Sequence, residues 1–193
     1  MSRALDVLLA ALLLVVTAPL LALAALAIRL ESRGPVFYRQ RRVGRHGGPF
    51  ELWKLRTMVP GAESMGAGVY VLEGDPRITR VGRLLRRFSL DELPNLINVL
   101  KGDMAVVGPR PTVQEQVDRY TDRQLRRLEV KPGITGWAQV NGRTSLPWPE
   151  RIELDVWYVE HRSLWLDVKI LTKTARMLAT GHGLYSEDLK QGW

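Results

Sequence analysis

The chain of 193 residues is long enough for one domain with a hydrophobic core, and 46% hydrophobic and 25% charged residues are typical of a globular protein. It contains no cysteine, which excludes a disulfide framework, a thiolate metal site and a thiol nucleophile. The net charge is +8, and residues 29–56 carry eight Lys and Arg against two Glu. Such a segment is typical of contact with nucleic acid, an anionic membrane surface or phosphorylated substrates, or of a solvated basic face.

Residues 7–28 form an apolar segment without a charged residue, made almost entirely of Leu, Ala and Val. As a helix, this segment is about as long as the hydrocarbon core of a bilayer is thick. A cleaved signal peptide has a shorter apolar centre and a small-residue cleavage site, and the basic residues that follow this segment fit one poorly. The sequence therefore predicts a helix that is retained in the membrane.

Two features bear on the route of this helix through the membrane. Pro19 lies in its middle, where the missing N–H and the clash with the preceding turn predict a kink. Arg3 precedes the helix and five arginines follow within residues 29–42, and positive charge prefers the cytoplasmic side. These features favour a re-entrant helix that bends at Ala18-Pro19 and returns to the same face. A helix that spans the bilayer is the alternative that composition leaves open.

The remainder of the chain shows no internal repeat and no low-complexity linker, so residues 31–193 are expected to fold as one unit against a membrane helix at 1–30. Residues 36–38 and 50–55 have the pattern of two short strands around the turn-rich stretch 44–49, which predicts a hairpin. One face of its second strand carries Phe50, Leu52, Lys54 and Arg56.

Helical patterns dominate after a Gly-rich polar stretch at residues 60–76, which is expected to be a loop. The predicted helices cover residues 80–88, 90–100, 112–131, a segment that starts near 149, and 163–181. Two pairs have the spacing of a capping box: Ser89 with Glu92, and Thr112 with Glu115.

The last predicted helix has an apolar stripe, formed by Leu164, Val168, Leu171, Ala175 and Leu178. A stripe of this kind packs on a core or lies in the plane of the membrane interface, and both interpretations stay open. Six Trp residues in a small chain favour some contact with the interface.

Asp91 and Glu92 are the candidate catalytic pair. The spacing of Ser89 and Glu92 places both carboxylates in the first turn of a helix, although Pro94 prefers the first helical position and allows a start three or four residues later. In either case both lie near a helix amino terminus, where the partial positive charge favours the ionised form. Acidic residues near helix starts are ordinarily caps, so the pair alone does not identify a site.

Cationic residues surround this pair in the sequence. They are Arg83, Arg86 and Arg87 before it, Lys54 and Arg56 in the hairpin, and Arg110 in a Pro-Arg-Pro turn after it. Such a cluster suits a diphosphate substrate, because arginine binds phosphate oxygens in pairs. An ionised Asp among cations is able to attack phosphorus and form an acyl phosphate, with Mg²⁺ neutralising the phosphate oxygens.

Several motifs in fixed order carry a resemblance to a known family. They are Gly-Pro-Val-Phe-Tyr-Arg-Gln-Arg-Arg-Val-Gly (34–44), Lys-Leu-Arg-Thr-Met (54–58), Ser-Leu-Asp-Glu-Leu-Pro (89–94), Asn-Val-Leu-Lys-Gly-Asp-Met (98–104), Val-Gly-Pro-Arg-Pro (107–111) and Lys-Pro-Gly-Ile-Thr-Gly-Trp-Ala-Gln-Val-Asn-Gly-Arg (131–143). With its kinked apolar start, the chain resembles the monotopic polyprenyl-phosphate phosphoglycosyl transferases, which begin O-antigen, capsule, exopolysaccharide and N-glycan assembly. The small size implies the minimal catalytic form of that family.

The resemblance implies a mainly helical α+β fold with a re-entrant membrane helix, a short hairpin and interfacial amphipathic helices. It implies an active site on the cytoplasmic face of the bacterial inner membrane. The implied reaction has two steps: a phosphosugar passes from a UDP-sugar to the enzyme with release of UMP, and then to undecaprenyl phosphate. The implied partners are therefore the UDP-sugar, undecaprenyl phosphate and membrane lipid, with no nucleic acid; a homodimer stays open.

The same resemblance assigns roles to residues of this chain. Asp91 is the nucleophile and the expected Mg²⁺ ligand, Glu92 assists with proton transfer or metal positioning, and Arg110 binds phosphate. The further expected contacts to diphosphate or uridine are Lys54, Arg56, Arg86 and Arg143. Asp103 and Asp155 lie in stretches that match the family, and their roles are left open between structure and site.

One departure from the family pattern concerns the helix break, where Ala18-Pro19 replaces the common Ser-Pro. The lost hydroxyl leaves Thr17 as the candidate to bond the carbonyl that proline frees. Two alternatives to the implied function are a membrane-anchored scaffold that binds anionic lipids and a glycosyl transferase that releases UDP. The sugar and the pathway are not readable from the residues.

Overall fold

The computed structural model describes residues 1–65, 74–142 and 146–180. Over these ranges the protein is mainly helical, with one short antiparallel sheet and one short parallel sheet, as the sequence predicts for an α+β fold. The helices are α1 (Arg3–Glu31), α2 (Arg80–Arg87), α3 (Asn95–Lys101), α4 (Gln114–Val117), α5 (Asp122–Leu125), α6 (Trp137–Val140), α7 (Trp148–His161) and α8 (Leu164–Thr180). The strands are β1 (Phe37–Val43), β2 (Pro49–Leu55), β3 (Ala105–Val107) and β4 (Gly133–Thr135).

Helix α1 has the length and apolar composition needed to cross a membrane, and only 11% of its most apolar stretch is buried. Pro19 lies inside the helix. The hydroxyl of Thr17 donates to the carbonyl of Leu13 at 2.6 Å, whereas the carbonyl that lacks a donor because of Pro19 is that of Val15, four residues before the proline. The expectation that Thr17 would bond the freed carbonyl is therefore wrong.

Both ends of α1 are fastened to the rest of the chain. Near the start, Arg3 donates to the carbonyl of Leu100 at 2.8 Å, and the carboxylate of Asp6 accepts the N–H of Val106 at 3.0 Å. At the other end, the carboxylate of Glu31 accepts two N–H groups at the start of α2, at 2.7 and 3.0 Å. Apolar side chains between these attachments face outward, and Val15 is 73% exposed.

Two apolar clusters form the core. The larger contains Ala10 of α1 with residues of β2, α3, β3, α7 and α8, and the smaller contains Ala24 and Ile28 of α1 with Leu55 and Leu85. Strand β2 contributes to both clusters, through Leu52 and Leu55. Strand β2 of the hairpin therefore shares a cluster with each half of α1, together with α3 in the larger cluster and α2 in the smaller one.

The predicted hairpin is confirmed, but its first strand is longer than expected. Strand β1 extends to Val43 instead of ending at Tyr38, and it pairs antiparallel with β2 so that Tyr38 lies opposite Lys54 and Arg42 opposite Phe50. Because side chains alternate along a strand, the face with Lys54 also carries Tyr38, Gln40 and Arg42.

A single buried side chain joins the hairpin to α3. The Asn98 amide accepts the N–H of Trp53 at 3.0 Å and donates to the carbonyl of Glu51 at 2.7 Å. It also donates to the carboxylate of Asp103 at 3.1 Å. Since Asn98 is fully buried, these bonds fix the position of β2 relative to α3.

Neither predicted capping box is present. Ser89 has a left-handed backbone with φ of 54° and caps nothing, so residues 90–92 form one 3₁₀ turn and α3 begins at Asn95. The later start follows from Pro94, which has no N–H to donate to a preceding turn. Thr112 bonds the side chain of Gln116 instead of a backbone N–H.

The predicted helix over residues 112–131 is wrong as one element. It consists of α4, α5 and a 3₁₀ turn at Arg126–Glu129, because Thr121 adopts an extended backbone and starts a new helix with a capping box completed by Gln124. The predicted helices near 149 and over 163–181 are confirmed as α7 and α8.

Helix α8 packs on the core mainly through side chains that lie beside its apolar stripe. The side chains that α8 buries are Leu166, Asp167 and Ile170, whereas Leu164 and Val168 of the stripe are 59% and 43% exposed. Trp165, at the start of the helix, is 77% exposed. The core-packing interpretation is therefore confirmed for the helix, with Leu171 as the stripe residue that packs against the core, whereas Leu164, Val168 and Leu178 leave an apolar surface that faces outward.

Candidate active site

A cavity of about 930 Å³ lies between the hairpin, the 3₁₀ turn at residues 90–92 and helix α7. Six of the predicted site residues line it: Lys54, Arg56, Arg86, Asp91, Glu92 and Arg110. The seventh, Arg143, lies outside the described residues. Among the described lining residues, seven Lys and Arg stand against four carboxylates. The cavity wall is therefore cationic overall and suits an anionic ligand.

Glu92 is held by two cations from different parts of the chain. Lys54 Nζ lies 2.9 Å from its Oε1, and Arg110 reaches both carboxylate oxygens, at 2.6 and 3.3 Å. Burial opposes ionisation, but the charges of Arg110 and Lys54 outweigh it and hold the pKa of Glu92 well below its usual range. Glu92 is therefore a fixed negative charge that brings the hairpin and the Pro-Arg-Pro turn together.

The neighbouring Asp91 differs from Glu92 both in its partners and in the direction of its pKa shift. Its side chain is buried, with 9% of the residue exposed, and within the described ranges its carboxylate has no hydrogen-bond or ion-pair partner. Burial and the charge of Glu92 raise the pKa of Asp91, whereas Lys54, Arg86 and Arg110 lower it less strongly. An unpartnered carboxylate at a cavity wall has its lone pairs available for a ligand or an electrophile.

Arg86 and Arg56 differ in how free their guanidinium groups are. Arg86 donates Nε–H to the hydroxyl of Thr57 at 2.8 Å, which orients the rest of the group along the cavity wall. Arg56 donates to the carbonyls of Ser32 and Arg33 at 2.9 and 2.6 Å. Arg56 therefore fixes the chain that leaves α1, and two of its nitrogens are already engaged there.

Several lining residues were missed from sequence, and Arg42 is the clearest case. The alternation Tyr38, Gln40, Arg42 places it on the face of Lys54, but this signal was lost because the first strand was ended at residue 38. Arg127 was missed because it falls in the segment predicted as one long helix. Gln139, Trp148 and Arg151 also line the cavity, and no sequence signal singled them out.

Asp155 and Asp103, whose roles the sequence left open, differ in their position relative to the cavity. Asp155 lines the cavity and forms a buried ion pair with Arg127 at 2.6 Å, and Arg127 also donates to the carbonyl of Arg110 at 2.9 Å. Asp155 thus supports the Pro-Arg-Pro turn from behind. Asp103 does not line the cavity, and its carboxylate accepts from Asn98 at the end of α3.

The donor set at Asp91 fits Mg²⁺. No group of three or more acidic or histidine side chains comes together within the described part of the chain, so these residues offer no cage made by protein ligands alone. Mg²⁺ commonly takes one or two carboxylates and completes its octahedron with water and substrate phosphates. The unpartnered carboxylate of Asp91, in a cavity lined for anions, supplies that kind of ligand.

Replacement of Asp91 by Asn is expected to stabilise the protein at neutral pH. Because the folded-state pKa of Asp91 is raised, its ionised form costs free energy above that pKa, and the cost disappears as the pH falls below the ordinary value of an Asp. Thermal unfolding of Asp91→Asn at pH 7 should show a higher Tm, by about 2–4 °C for each 1 kcal/mol relieved. The gain should vanish near pH 4, and the exposed Asp122→Asn variant should show no such pH-dependent gain. An equal Tm difference at both pH values would contradict a raised pKa.

Comparison with known proteins identifies the family. A family model described as bacterial sugar transferase matches residues 1–181. A sugar transferase of Bacillus subtilis, EpsL, named as uncharacterised, is 46% identical over 95% of this chain and 90% of its own length. A UDP-glucose:undecaprenyl-phosphate glucose-1-phosphate transferase of Caulobacter vibrioides is 47% identical over 95% of this chain and 71% of its own length.

An Escherichia coli protein with the same activity name is 44% identical over 90% of this chain, but the match covers only 39% of that protein. The family match over residues 1–181 contains helix α1 and the described residues that line the cavity. From the whole-chain family match and these identities, the chain belongs to the bacterial sugar transferase family and is a transferase.

Proposed function

We propose that the protein transfers a sugar 1-phosphate from a UDP-sugar to undecaprenyl phosphate and releases UMP. The observation that carries the proposal is the buried, unpartnered carboxylate of Asp91 beside the clamped Glu92 in a cationic cavity. The activity names of the Caulobacter vibrioides and Escherichia coli relatives support the donor and the acceptor. A cavity of about 930 Å³ is also large enough for a nucleotide sugar, which a lipid-binding scaffold would not need.

In the first step, a carboxylate oxygen of Asp91 attacks the phosphorus that bears the sugar. The bond from that phosphorus to the bridging oxygen breaks, and the oxygen leaves with its electron pair as part of UMP. The enzyme is left with a phosphosugar bonded to Asp91 as an acyl phosphate. Within the described ranges the carboxylate has no partner to lose before it attacks. Burial and the charge of Glu92 raise its pKa, and the nearby charges of Lys54, Arg86 and Arg110 oppose this rise in part.

In the second step, a phosphate oxygen of undecaprenyl phosphate attacks the same phosphorus, and the carboxylate of Asp91 is released. The product is a lipid diphosphate that carries the sugar. Glu92 keeps Lys54 and Arg110 in place through both steps, and these cations lie where the phosphate charge has to be stabilised. Mg²⁺, when bound at Asp91, neutralises phosphate oxygens and lowers the repulsion between them and the carboxylate.

We also propose that α1 is re-entrant, kinked at Pro19, and that it places the cavity on the cytoplasmic face of the bacterial inner membrane. Arg3 and Glu31, near the two ends of α1, both bond the globular part of the chain. A helix that crossed the bilayer would separate its ends by about 30 Å of hydrocarbon. The exposed stripe of α8 and Trp165 would lie in the headgroup region of the same face.

The nucleophile is tested by incubating the purified chain with UDP-glucose, UDP-galactose and UDP-N-acetylated amino sugars in the absence of lipid acceptor. We expect one donor to give UMP in an amount close to one per enzyme, together with a mass increase equal to the phosphosugar. Asp91→Asn should lower this release at least ~10³-fold, because no other carboxylate replaces a covalent nucleophile. Asp122→Asn is the matched control and should behave as wild type. Release of UDP would instead identify a direct glycosyl transferase.

The metal site is tested without turnover, by thermal unfolding. Mg²⁺ together with UMP should raise the Tm of the wild-type chain, since a ligand that binds only the folded state stabilises it. Asp91→Asn should lose the contribution of Mg²⁺, whereas Asp122→Asn should keep it. An unchanged Mg²⁺ response in Asp91→Asn would place the metal elsewhere or remove it from the proposal.

The route of α1 is tested by labelling single cysteines, which is direct because the natural chain has none. Ser2→Cys and Ser32→Cys, at the two ends of α1, should both react with a membrane-impermeant maleimide in inverted inner-membrane vesicles, and neither should react in intact spheroplasts. Reaction of Ser2→Cys in spheroplasts, with Ser32→Cys protected there, would mean that α1 spans the bilayer.

A further inference from the structure

The cations of the cavity fall into two groups according to their partners. Lys54 and Arg110 share the carboxylate of Glu92, and Arg127 is paired with Asp155. Arg42 lines the same cavity but, within the described ranges, has no carboxylate partner. Its charge is therefore available for an anionic ligand.

Neighbouring polar groups hold Arg42 in a fixed orientation. Its Nε and Nη2 both donate to Oε1 of Gln40, at 3.1 and 2.6 Å, and Nη1 lies 3.5 Å from the carbonyl of Pro111. Gln40 is neutral, so it orients the guanidinium without cancelling its charge. A pre-oriented arginine binds a phosphate at a lower entropic cost than a mobile side chain does.

The electrostatics agree with an uncompensated cation. Burial and the neighbouring charge of Arg110 lower the pKa of Arg42 to about 10, so it remains charged at neutral pH but in an unfavourable environment. A bound phosphate would relieve both the burial cost and the repulsion from Arg110.

The position of Arg42 in the row of cations selects one phosphate of the donor. The charges that act most strongly on Asp91 are those of Glu92, Lys54, Arg86 and Arg110. Arg42 contacts the turn at Pro111, next to Arg110, and the charges that act on it include Arg110 and Glu92 but not Asp91. A diphosphate whose sugar-bearing phosphorus lies at Asp91 would extend past Arg110 and place its nucleoside-bearing phosphate at Arg42.

We infer that Arg42, oriented by Gln40, binds the nucleoside-bearing phosphate of the donor and stabilises it as it leaves. This inference rests on the proposed function. When Asp91 bonds to the sugar-bearing phosphorus, the bridging oxygen departs with its electron pair, and the nucleoside phosphate gains one negative charge. A cation fixed at that phosphate stabilises the transition state of the first step more than the bound donor. In the second step the acceptor oxygen has to enter opposite the departing carboxylate of Asp91, at the position that UMP has left, so the same cation then faces the phosphate of the acceptor.

The test measures UMP binding and the two half-reactions separately, with the full chain in detergent or nanodiscs. Arg42→Gln should weaken UMP binding about 10- to 100-fold, because a charge-assisted hydrogen bond to phosphate is lost. The rate of UMP release from the UDP-sugar should fall at least as much. Discharge of the isolated phosphosugar enzyme to undecaprenyl phosphate should also slow, because the acceptor phosphate takes the place of the departed UMP phosphate. Arg42→Lys, which keeps the positive charge but lacks the planar guanidinium that binds two phosphate oxygens at once, should recover part of the UMP affinity.

Arg41→Gln is the matched control, since Arg41 is the adjacent arginine on the exposed opposite face of β1 and should leave all three measurements unchanged. If Arg42→Gln binds UMP as tightly as wild type, or if it releases UMP from the UDP-sugar at the wild-type rate, the inference is overturned. Failure of the proposed function is a different result, in which the wild-type chain releases no UMP from any UDP-sugar; UMP binding is measurable in either case.

Discussion

The charge pair of Asp91 and Glu92 is the constraint on which the architecture of the cavity depends. Two adjacent carboxylates at a buried position repel each other and lose hydration, so at least one requires compensation from the fold. Glu92 receives it from Lys54 of the hairpin and Arg110 of the Pro-Arg-Pro turn. Because these cations come from segments more than 50 residues apart, satisfying Glu92 requires that the hairpin, the 3₁₀ turn and the loop after β3 meet at one place.

A second set of buried polar contacts supports this cluster and adds no net charge to the cavity. Asn98 ties the hairpin backbone to α3, and Arg127 with Asp155 holds the carbonyl of Arg110. Buried polar groups of this kind are costly unless every partner is present, and they therefore specify one arrangement. Within the described ranges Asp91 is left without a partner, and its raised pKa is a local cost in stability at the position that we propose as the nucleophile.

The local errors of sequence interpretation share one cause. The spacing of Ser89 with Glu92 matches a capping box, but Ser89 adopts a left-handed backbone and the carboxylate of Glu92 bonds two distant cations instead. The spacing of Thr112 with Glu115 fails for the same reason, since Thr112 is buried against Gln116. A capping box is worth about 1 kcal/mol, whereas a buried carboxylate left without its ion-pair partners costs about 3–5 kcal/mol.

The sequence by itself determined the apolar helix, the hairpin, the α+β class, the carboxylate pair and most of the cations around it, because residue type, alternation and motif order are local properties. Only the tertiary structure decided which carboxylate is clamped and which is free, that Asp155 supports Arg110 while Asp103 does not line the cavity, and that Arg42 enters the site. These outcomes depend on burial and on distances between segments remote in sequence. Charge compensation in a low-dielectric interior joins residues that are close in space but remote in sequence, and no local sequence pattern predicts it.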